Sequence, residues 1–388
     1  MLAYNKEWLD NRTTQQEAAA AFEQHCISRE ERDRINQACP VPFYTPNIYI
    51  RIGLFLLTLT VVLFSLLLLI VMFGEISGRS WQAMLIFSGL VACGVLELIV
   101  RDRKHYHSGV DDALLVAGAA LLLTGIIALL PGNGPYAAHC LLIFAVTAFA
   151  ALRFASWLMT VAAALSLLAC LFYTSIHLGS AGRVATPLLL TAASYILYAL
   201  VSKTKGQTKL RHYRACGAAA EVTTLVTGCL CVNYFVVREA GNACFNLDLQ
   251  PGQSIPGAWL FWLCTVLIPL AYIAAGVWKK NVILLRTGLL LIAAMVFTIK
   301  YYHHLAPIEL EMTAGGLAMI AVAYVLIRYL RTPRHGFTGS DTGKRHLPGK
   351  AQGESLAIAE TYSGEPAPGQ GFGFGGGTGG GGGAQGGW

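Results

Sequence analysis

The sequence predicts an all-α, polytopic transmembrane helical bundle with about ten spans and both termini in the cytoplasm. Of the 388 residues, 55% are hydrophobic and only 13% are charged, about half the charged fraction of an ordinary globular protein. The mean hydropathy of +0.54 comes from apolar runs near the roughly 20 residues that a helix needs to cross a bilayer. The placement of basic residues between these runs indicates which side of the membrane each connecting segment faces.

Residues 1–47 are polar and predict a cytoplasmic N-terminal helical hairpin. Two capping boxes, Thr14 with Glu17 and Ser28 with Glu31, each place a hydroxyl and a carboxylate where free backbone N–H groups begin a helix. The first 30 residues contain no apolar segment typical of a cleavable signal peptide. We therefore expect the first span to direct the chain to the membrane.

Residues 48–331 form the predicted ten-helix transmembrane domain. With the N terminus inside, most of the 28 Lys and Arg residues fall in segments predicted to face the cytoplasm, as the positive-inside rule expects. Small residues that favour close helix packing are Gly89, Gly94, Gly118, Gly125, Gly315 and Gly316. The predicted spans are residues 52–73, 81–100, 113–130, 137–152, 157–178, 186–202, 216–237, 258–278, 282–300 and 312–330.

Residues 332–388 predict a disordered, Gly-rich cytoplasmic tail, because this composition cannot bury enough apolar area to offset the entropy lost on ordering. Phe372, Phe374 and Trp388 are isolated aromatic residues among the glycines. They are candidates for binding a partner or the membrane face. The alternative is a low-complexity tail with no binding role.

Ionisable groups inside predicted spans are costly and often functional. Glu97, Glu221 and Arg286 all fall near the cytoplasmic ends of their spans. One hypothesis is a polar cluster that binds or gates an ion or small ligand. The alternative is pairing and snorkelling at the interface, with Glu97 one turn before Arg101 in a favourable order.

The loop before the third span is strongly charged. Asp111 and Asp112 stand where carboxylates favour a helix N terminus, which indicates helix caps. With the basic residues and histidines at 101–107, the loop is also a candidate docking surface.

Metal and catalytic signatures are weak. Imidazoles and carboxylates near the predicted outer span ends are His139, His177, His303, His304 and Glu309, but their spacing matches no preformed zinc or copper site. No G-x-S-x-G, Walker or C-x-x-C motif occurs. The net charge of +7 is divided among short segments, which argues against nucleic-acid binding. We expect no cofactor.

Two stretches resemble uncharacterised bacterial multispanning inner-membrane proteins with a short N-terminal helical hairpin. One runs Cys26-Ile-Ser-Arg-Glu-Glu-Arg-Asp-Arg-Ile35; the other combines Leu285-Arg-Thr-Gly-Leu-Leu-Leu, Lys300-Tyr-Tyr, Gly315-Gly-Leu and Tyr324-Val-Leu-Ile-Arg-Tyr-Leu330. The resemblance covers about a fifth of the chain. It implies the architecture and the bacterial cytoplasmic membrane, with no activity attached.

These observations leave three hypotheses for function. The first is a non-catalytic integral membrane protein of the bacterial envelope, whose partners are the lipid bilayer and a cytoplasmic or membrane protein bound by the cytoplasmic segments. The second is a small-solute transporter or channel with a cytoplasm-facing polar cluster. The third is a membrane enzyme that uses the outer His and Glu residues as acid and base.

Overall fold

The computed structural model confirms an all-helical architecture for the part of the chain it describes. Among those residues, eight helices are long and apolar enough to cross a membrane, and a bent helix pair makes a ninth if it counts as one span. The protein is therefore a multi-pass membrane protein. The described residues are 2–23, 26–73, 80–130, 135–176, 182–205, 207–245 and 253–302, with single helical positions at 313, 317, 320, 324 and 328.

The N-terminal segment forms two helices, α1 (Lys6–Glu23) and α2 (Arg29–Ala38). The capping box of Ser28 and Glu31 is present at the start of α2, as predicted. The box at Thr14 is wrong: α1 already begins at Lys6, and the Thr14 hydroxyl donates to the Asp10 carbonyl inside the helix at 3.2 Å. The Asn5 side chain instead accepts the Glu7 backbone N–H at 2.9 Å.

The predicted spans correspond closely to the observed helices. Eight of them match long apolar helices, and the tenth lies largely outside the described residues, so the total of ten stays a prediction. The matching helices are α3 (Ile48–Phe73), α4 (Ser80–Asp102), α5 (Val110–Leu129), α6 (Tyr136–Phe154), α7 (Trp157–Ser175), α8 (Gly182–Thr204), α11 (Ala258–Trp278) and α12 (Val282–Tyr302).

Helices adjacent in sequence pack as antiparallel pairs, most closely α4 with α5, α6 with α7, α8 with α9 (Arg214–Leu230) and α11 with α12. Small residues set the first of these contacts. A Cβ at Gly89 would lie 2.7 Å from the Leu122 backbone N, and one at Gly125 would lie 3.0 Å from the Ile86 backbone N. A Cβ at Gly94 would meet no described residue within 4 Å, so its packing role stays a prediction.

The N-terminal segment packs on one end of the bundle. The Ala3 backbone N–H donates to the Arg153 carbonyl at 2.8 Å, and Arg211 pairs with Asp10. The Tyr44 N–H donates to the Lys104 carbonyl at 3.1 Å. These contacts tie the hairpin to three loops that the sequence predicts on the cytoplasmic side.

Candidate functional site

The seventh predicted span is where the structure departs most from the prediction. The sequence predicts one helix over residues 216–237, but α9 ends at Leu230 and α10 (Tyr234–Phe245) is bent from it by 75°. The prediction of a continuous span is therefore wrong. Asn233 lies at the break, and an Asn side chain competes with a helix by hydrogen bonding to nearby backbone.

Side chains satisfy the backbone groups that the break releases. The Tyr234 N–H donates to the Thr265 hydroxyl of α11 at 2.9 Å, and the Phe235 N–H donates to Asn233 Oδ1 at 3.0 Å. The Thr298 hydroxyl of α12 lies 3.0 Å from the same Asn233 oxygen. Because a bilayer core supplies no water, non-helical backbone persists there only with such partners. The break is therefore stabilised by side chains of α11 and α12.

Glu221 lies on α9 and its side chain is 0% exposed. Lys205, just after α8, donates through Nζ to Oε2 of Glu221, and this Lys side chain is 45% exposed. Glu221 Oε1 has no hydrogen-bond partner among the described residues. A buried ion is costly unless it is paired and its remaining lone pairs are satisfied. The free oxygen therefore makes Glu221 the leading candidate for a functional group.

Tyrosine hydroxyls lie one helical turn further along α9. The Tyr272 hydroxyl of α11 lies 2.9 Å from the Tyr195 hydroxyl of α8 and 3.1 Å from the Leu225 carbonyl oxygen. A phenol has one proton to donate, so it can serve one of these two acceptors fully at a time. The pair offers a hydroxyl group with alternative hydrogen-bonding arrangements.

A second turn along, α8 again meets α9 through polar groups. The Thr191 hydroxyl donates to the Gly228 carbonyl at 3.1 Å, and Ser194 lies against Gly228 with its buried hydroxyl unpartnered among the described residues. Positions 221, 225 and 228 are spaced i, i+4 and i+7, so they share one face of α9. We call this set the polar row: Glu221, Tyr195, Tyr272, Thr191, Ser194 and, at the break, Asn233.

The three charged residues of the predicted cluster have different surroundings. Glu97 is paired with Arg153 of α6, and the Arg153 Nε donates to Glu97 Oε2 at 3.2 Å. The Glu97 side chain is 44% exposed. Glu221 is paired with Lys205. Arg286 is exposed on α12. The ion pairs seen for the two carboxylates thus involve other cations, and a single site made by all three residues stays a prediction.

The weak metal candidates and the tail aromatics are largely untested. His139 lies on α6 beside Tyr136, with ring centroids 6.3 Å apart. The remaining candidates fall outside the described residues: His177, His303, His304, Glu309, Phe372, Phe374 and Trp388.

The carboxylates at the start of α5 are bound by groups of the charged loop before it and by Arg51. His107, Asp111 and Asp112 offer ligand atoms within 4.8 Å of one another. Asp111 accepts the backbone N–H groups of His107 and Ser108 at 2.7 and 2.8 Å, and Asp112 accepts from Arg51 and His107 at 2.9 and 3.0 Å. Protein donors therefore already serve these carboxylates. The prediction that Asp111 and Asp112 cap the helix is wrong, because Gly109 is the N-cap residue of α5 and both aspartates lie in its first turn, where carboxylates favour a helix N terminus.

An aromatic cluster holds the N terminus against this loop. Tyr4 packs on Tyr106 with ring centroids 4.9 Å apart, and its hydroxyl lies 3.4 Å from Asp111 Oδ2. Burial, and next the Asp111 charge, raises the pKa of Tyr4 well above its usual value. The phenol therefore stays protonated and able to donate. The Arg12 guanidinium lies 4.6 Å from the Tyr106 ring centre, which adds a cation–π contact.

Sequence reasoning found Glu221 but missed the hydroxyl groups around it. Tyr195, Tyr272 and Ser194 are single polar residues in apolar helices, and their spacing follows no motif. Asn233 was the one available signal, since an Asn inside a predicted span is unusual and often marks an interruption.

No model of a known protein family matches the chain, and neither the curated proteins nor the solved structures contain a significant match. These comparisons therefore add no support to the resemblance seen in the sequence.

Proposed function

We propose that this protein moves a small solute across a membrane through its C-terminal half, and that the proton is a species it carries. The observation that carries the proposal is Glu221, a completely buried carboxylate with one oxygen that has no hydrogen-bond partner among the described residues. Ionisable groups held inside a helical membrane bundle are functional candidates because their burial is costly. A carboxylate is also a group that can bind and release a proton.

The surroundings of Glu221 support this role. Lys205 links the buried carboxylate to an exposed position at one end of α8, which gives protons access to the site from that end. From Glu221, the polar row continues along one face of α9 for about 10 Å to Gly228. It leads towards the break at Asn233, and discontinuous helices are a recurrent element of transporter binding sites.

The test is proton flux into liposomes that contain the full-length chain. A potassium gradient with valinomycin sets the membrane potential, and an enclosed pH-sensitive dye reports proton entry. We expect flux above that of protein-free liposomes. Glu221→Gln removes the charge with little change in shape and should reduce the flux to the protein-free level.

Glu97→Gln is the matched control, because it makes the same chemical change at a half-exposed carboxylate paired with Arg153. It should retain the wild-type flux. Wild-type flux no greater than that of empty liposomes, or equal flux in the wild type and Glu221→Gln, would refute proton movement through this site.

A second candidate function is protein binding by the N-terminal hairpin. Helix α2 has no buried residue, and the Gln15 side chain of α1 holds its end through the Asn36 and Cys39 carbonyls at 3.4 and 2.8 Å. A polar groove of about 420 Å³ between the helices includes Arg12 and Arg32. This exposed surface favours contact with a cytoplasmic or membrane protein partner.

Affinity capture distinguishes the hairpin from the tail. The full chain, a version ending at Arg334 and an Arg29→Glu/Arg34→Glu variant are compared. Loss of a partner only in the charge-reversed variant assigns binding to the hairpin, whereas loss only in the truncated chain assigns it to the tail. The same proteins recovered with all three would contradict both assignments.

We also propose the bacterial inner membrane as the location, with both termini in the cytoplasm. The distribution of Lys and Arg residues supports this orientation. Fusions of a cytoplasm-active fluorescent protein to each end should both fluoresce. A dark fusion at either end would reverse the assignment for that terminus.

A further inference from the structure

The cavity at the bend between α9 and α10 has a composition unlike that of the polar row. It has a volume of about 280 Å³ and lies between α7, α8, α10 and the first turn of α11 with the residues before it. Its walls include Phe172, Leu190, Val237, Ala240 and Phe261. This volume is close to the lower end of the range for small-molecule sites.

Thr186 adds a single hydroxyl to this apolar wall. The residue is 1% exposed, and its Oγ1 has no hydrogen-bond partner among the described residues. A threonine in a helix commonly bonds a carbonyl three or four residues earlier, and a buried hydroxyl without a partner is destabilising. The cavity therefore has one position that favours a polar atom of an occupant.

The apolar walls and the single hydroxyl indicate which kind of molecule the cavity can bind. Water needs two to four polar partners to be stable in a cavity, and the apolar walls leave it few besides Thr186. An alkyl chain instead matches the walls along its length and can present one oxygen to the hydroxyl. Val236 lines the cavity and is 36% exposed, so the wall reaches the outer surface of the bundle, where membrane hydrocarbon is available.

We infer that this cavity binds one alkyl chain of a membrane lipid, with an ester or hydroxyl oxygen of that lipid hydrogen-bonded to Thr186. The bound chain fills the space between α8 and α10 and supports the bend. This inference is independent of proton movement, because it uses none of the polar row.

The experiment uses the full chain in liposomes with photoreactive lipids. One arm contains hexadecanol with a mid-chain diazirine, and the other contains phosphatidylcholine with the same diazirine in one acyl chain. After irradiation, mass spectrometry of peptides locates the adducts. We expect adducts on Val237, Ala240 and Phe261. The arm that gives them identifies a single-chain lipid or a phospholipid as the source.

Two variants test the mode of binding. Ala240→Leu fills part of the cavity and should lower its adducts. Thr186→Val preserves the side-chain shape and should lower the yield about fivefold, the effect of losing one hydrogen bond. Gly94→Leu is the control, since position 94 lies on α4, which contributes no residue to the cavity wall, and its cavity adducts should equal those of the wild type.

The inference is overturned if wild-type adducts are confined to exposed positions such as Leu188 and Leu189. It is also overturned if cavity adducts are equally abundant in the wild type and Thr186→Val. The second comparison remains decisive if Ala240→Leu fails to fold, because the Thr186 variant changes no volume in the cavity.

Discussion

The buried carboxylates have different surroundings in the two halves of the bundle, helices α3–α7 and helices α8–α12. In the N-terminal half, the carboxylates of Asp111 and Asp112 are buried or nearly so, but each accepts hydrogen bonds from donors in the same loop or from Arg51. In the C-terminal half, Glu221 keeps one oxygen without a hydrogen-bond partner among the described residues. Carboxylates whose hydrogen bonds are all made within the protein hold a loop in place, whereas a carboxylate oxygen without a hydrogen-bond partner is available to bind a solute. For a buried carboxylate, the comparison teaches that unmet hydrogen-bonding capacity, and not charge alone, marks a candidate site.

The largest expected effect tests the rigidity of the N-terminal half. Gly109 has φ of +95°, and a Cβ there would lie 2.2 Å from the Arg51 carbonyl oxygen. Gly109→Ala combines backbone strain with a backbone clash and should lower the free energy of unfolding by about 3 kcal/mol. Thermal unfolding in detergent, followed with a dye that reacts with newly exposed cysteines, measures the change.

Gly94→Ala is the control for Gly109, because its Cβ would meet no described residue within 4 Å. It should change stability by less than about 1 kcal/mol. If the two variants are equally stable, the loop before α5 is not rigid, and the contrast between the halves fails.

A smaller effect tests the break in the C-terminal half. Thr265→Val keeps the shape of the side chain but removes the acceptor of the Tyr234 N–H, which is then buried without a partner. We expect a loss of about 1.5 kcal/mol in the free energy of unfolding, measured by the same thermal assay.

Thr223→Val is the matched control, since the Thr223 hydroxyl donates to the Ala219 carbonyl of its own helix at 2.8 Å. Its expected effect is within about 0.5 kcal/mol. Equal losses in both variants would mean that the contact across the break contributes nothing specific.

The smallest effect concerns the hairpin, which belongs to neither half. Hydrogen bonds from the Ser28 backbone and side chain lower the pKa of Glu31 from its ordinary 4.5. The carboxylate therefore stabilises α2 above pH 4.5, and this contribution is lost as the pH falls through the lowered value. Hydrogen exchange of residues 29–38, corrected for the intrinsic pH dependence, should show α2 losing protection in acid.

Glu31→Gln should remove most of that pH dependence. Identical acid-induced loss of protection in the wild type and in Glu31→Gln would show that another group controls α2.

Local features of the chain were predictable because their signals are local. Eight spans follow from apolar runs, since the hydropathy of about 20 consecutive residues decides whether a helix can cross a membrane. The box of Ser28 and Glu31 also depends on residues three apart. Thr14 has the same pattern but lies inside α1, because Asn5 accepts a backbone N–H near the helix start.

The sequence by itself determined a helical membrane protein and the approximate limits of most of its helices. Only the tertiary structure decided that Glu97 pairs with Arg153, 56 positions away, and that Glu221 is wholly enclosed. It also decided the break at Asn233, which is satisfied by Thr265 and Thr298 from two other helices. The physical reason is that hydropathy depends on neighbours along the chain, whereas burial and hydrogen-bond partners depend on which helices pack together.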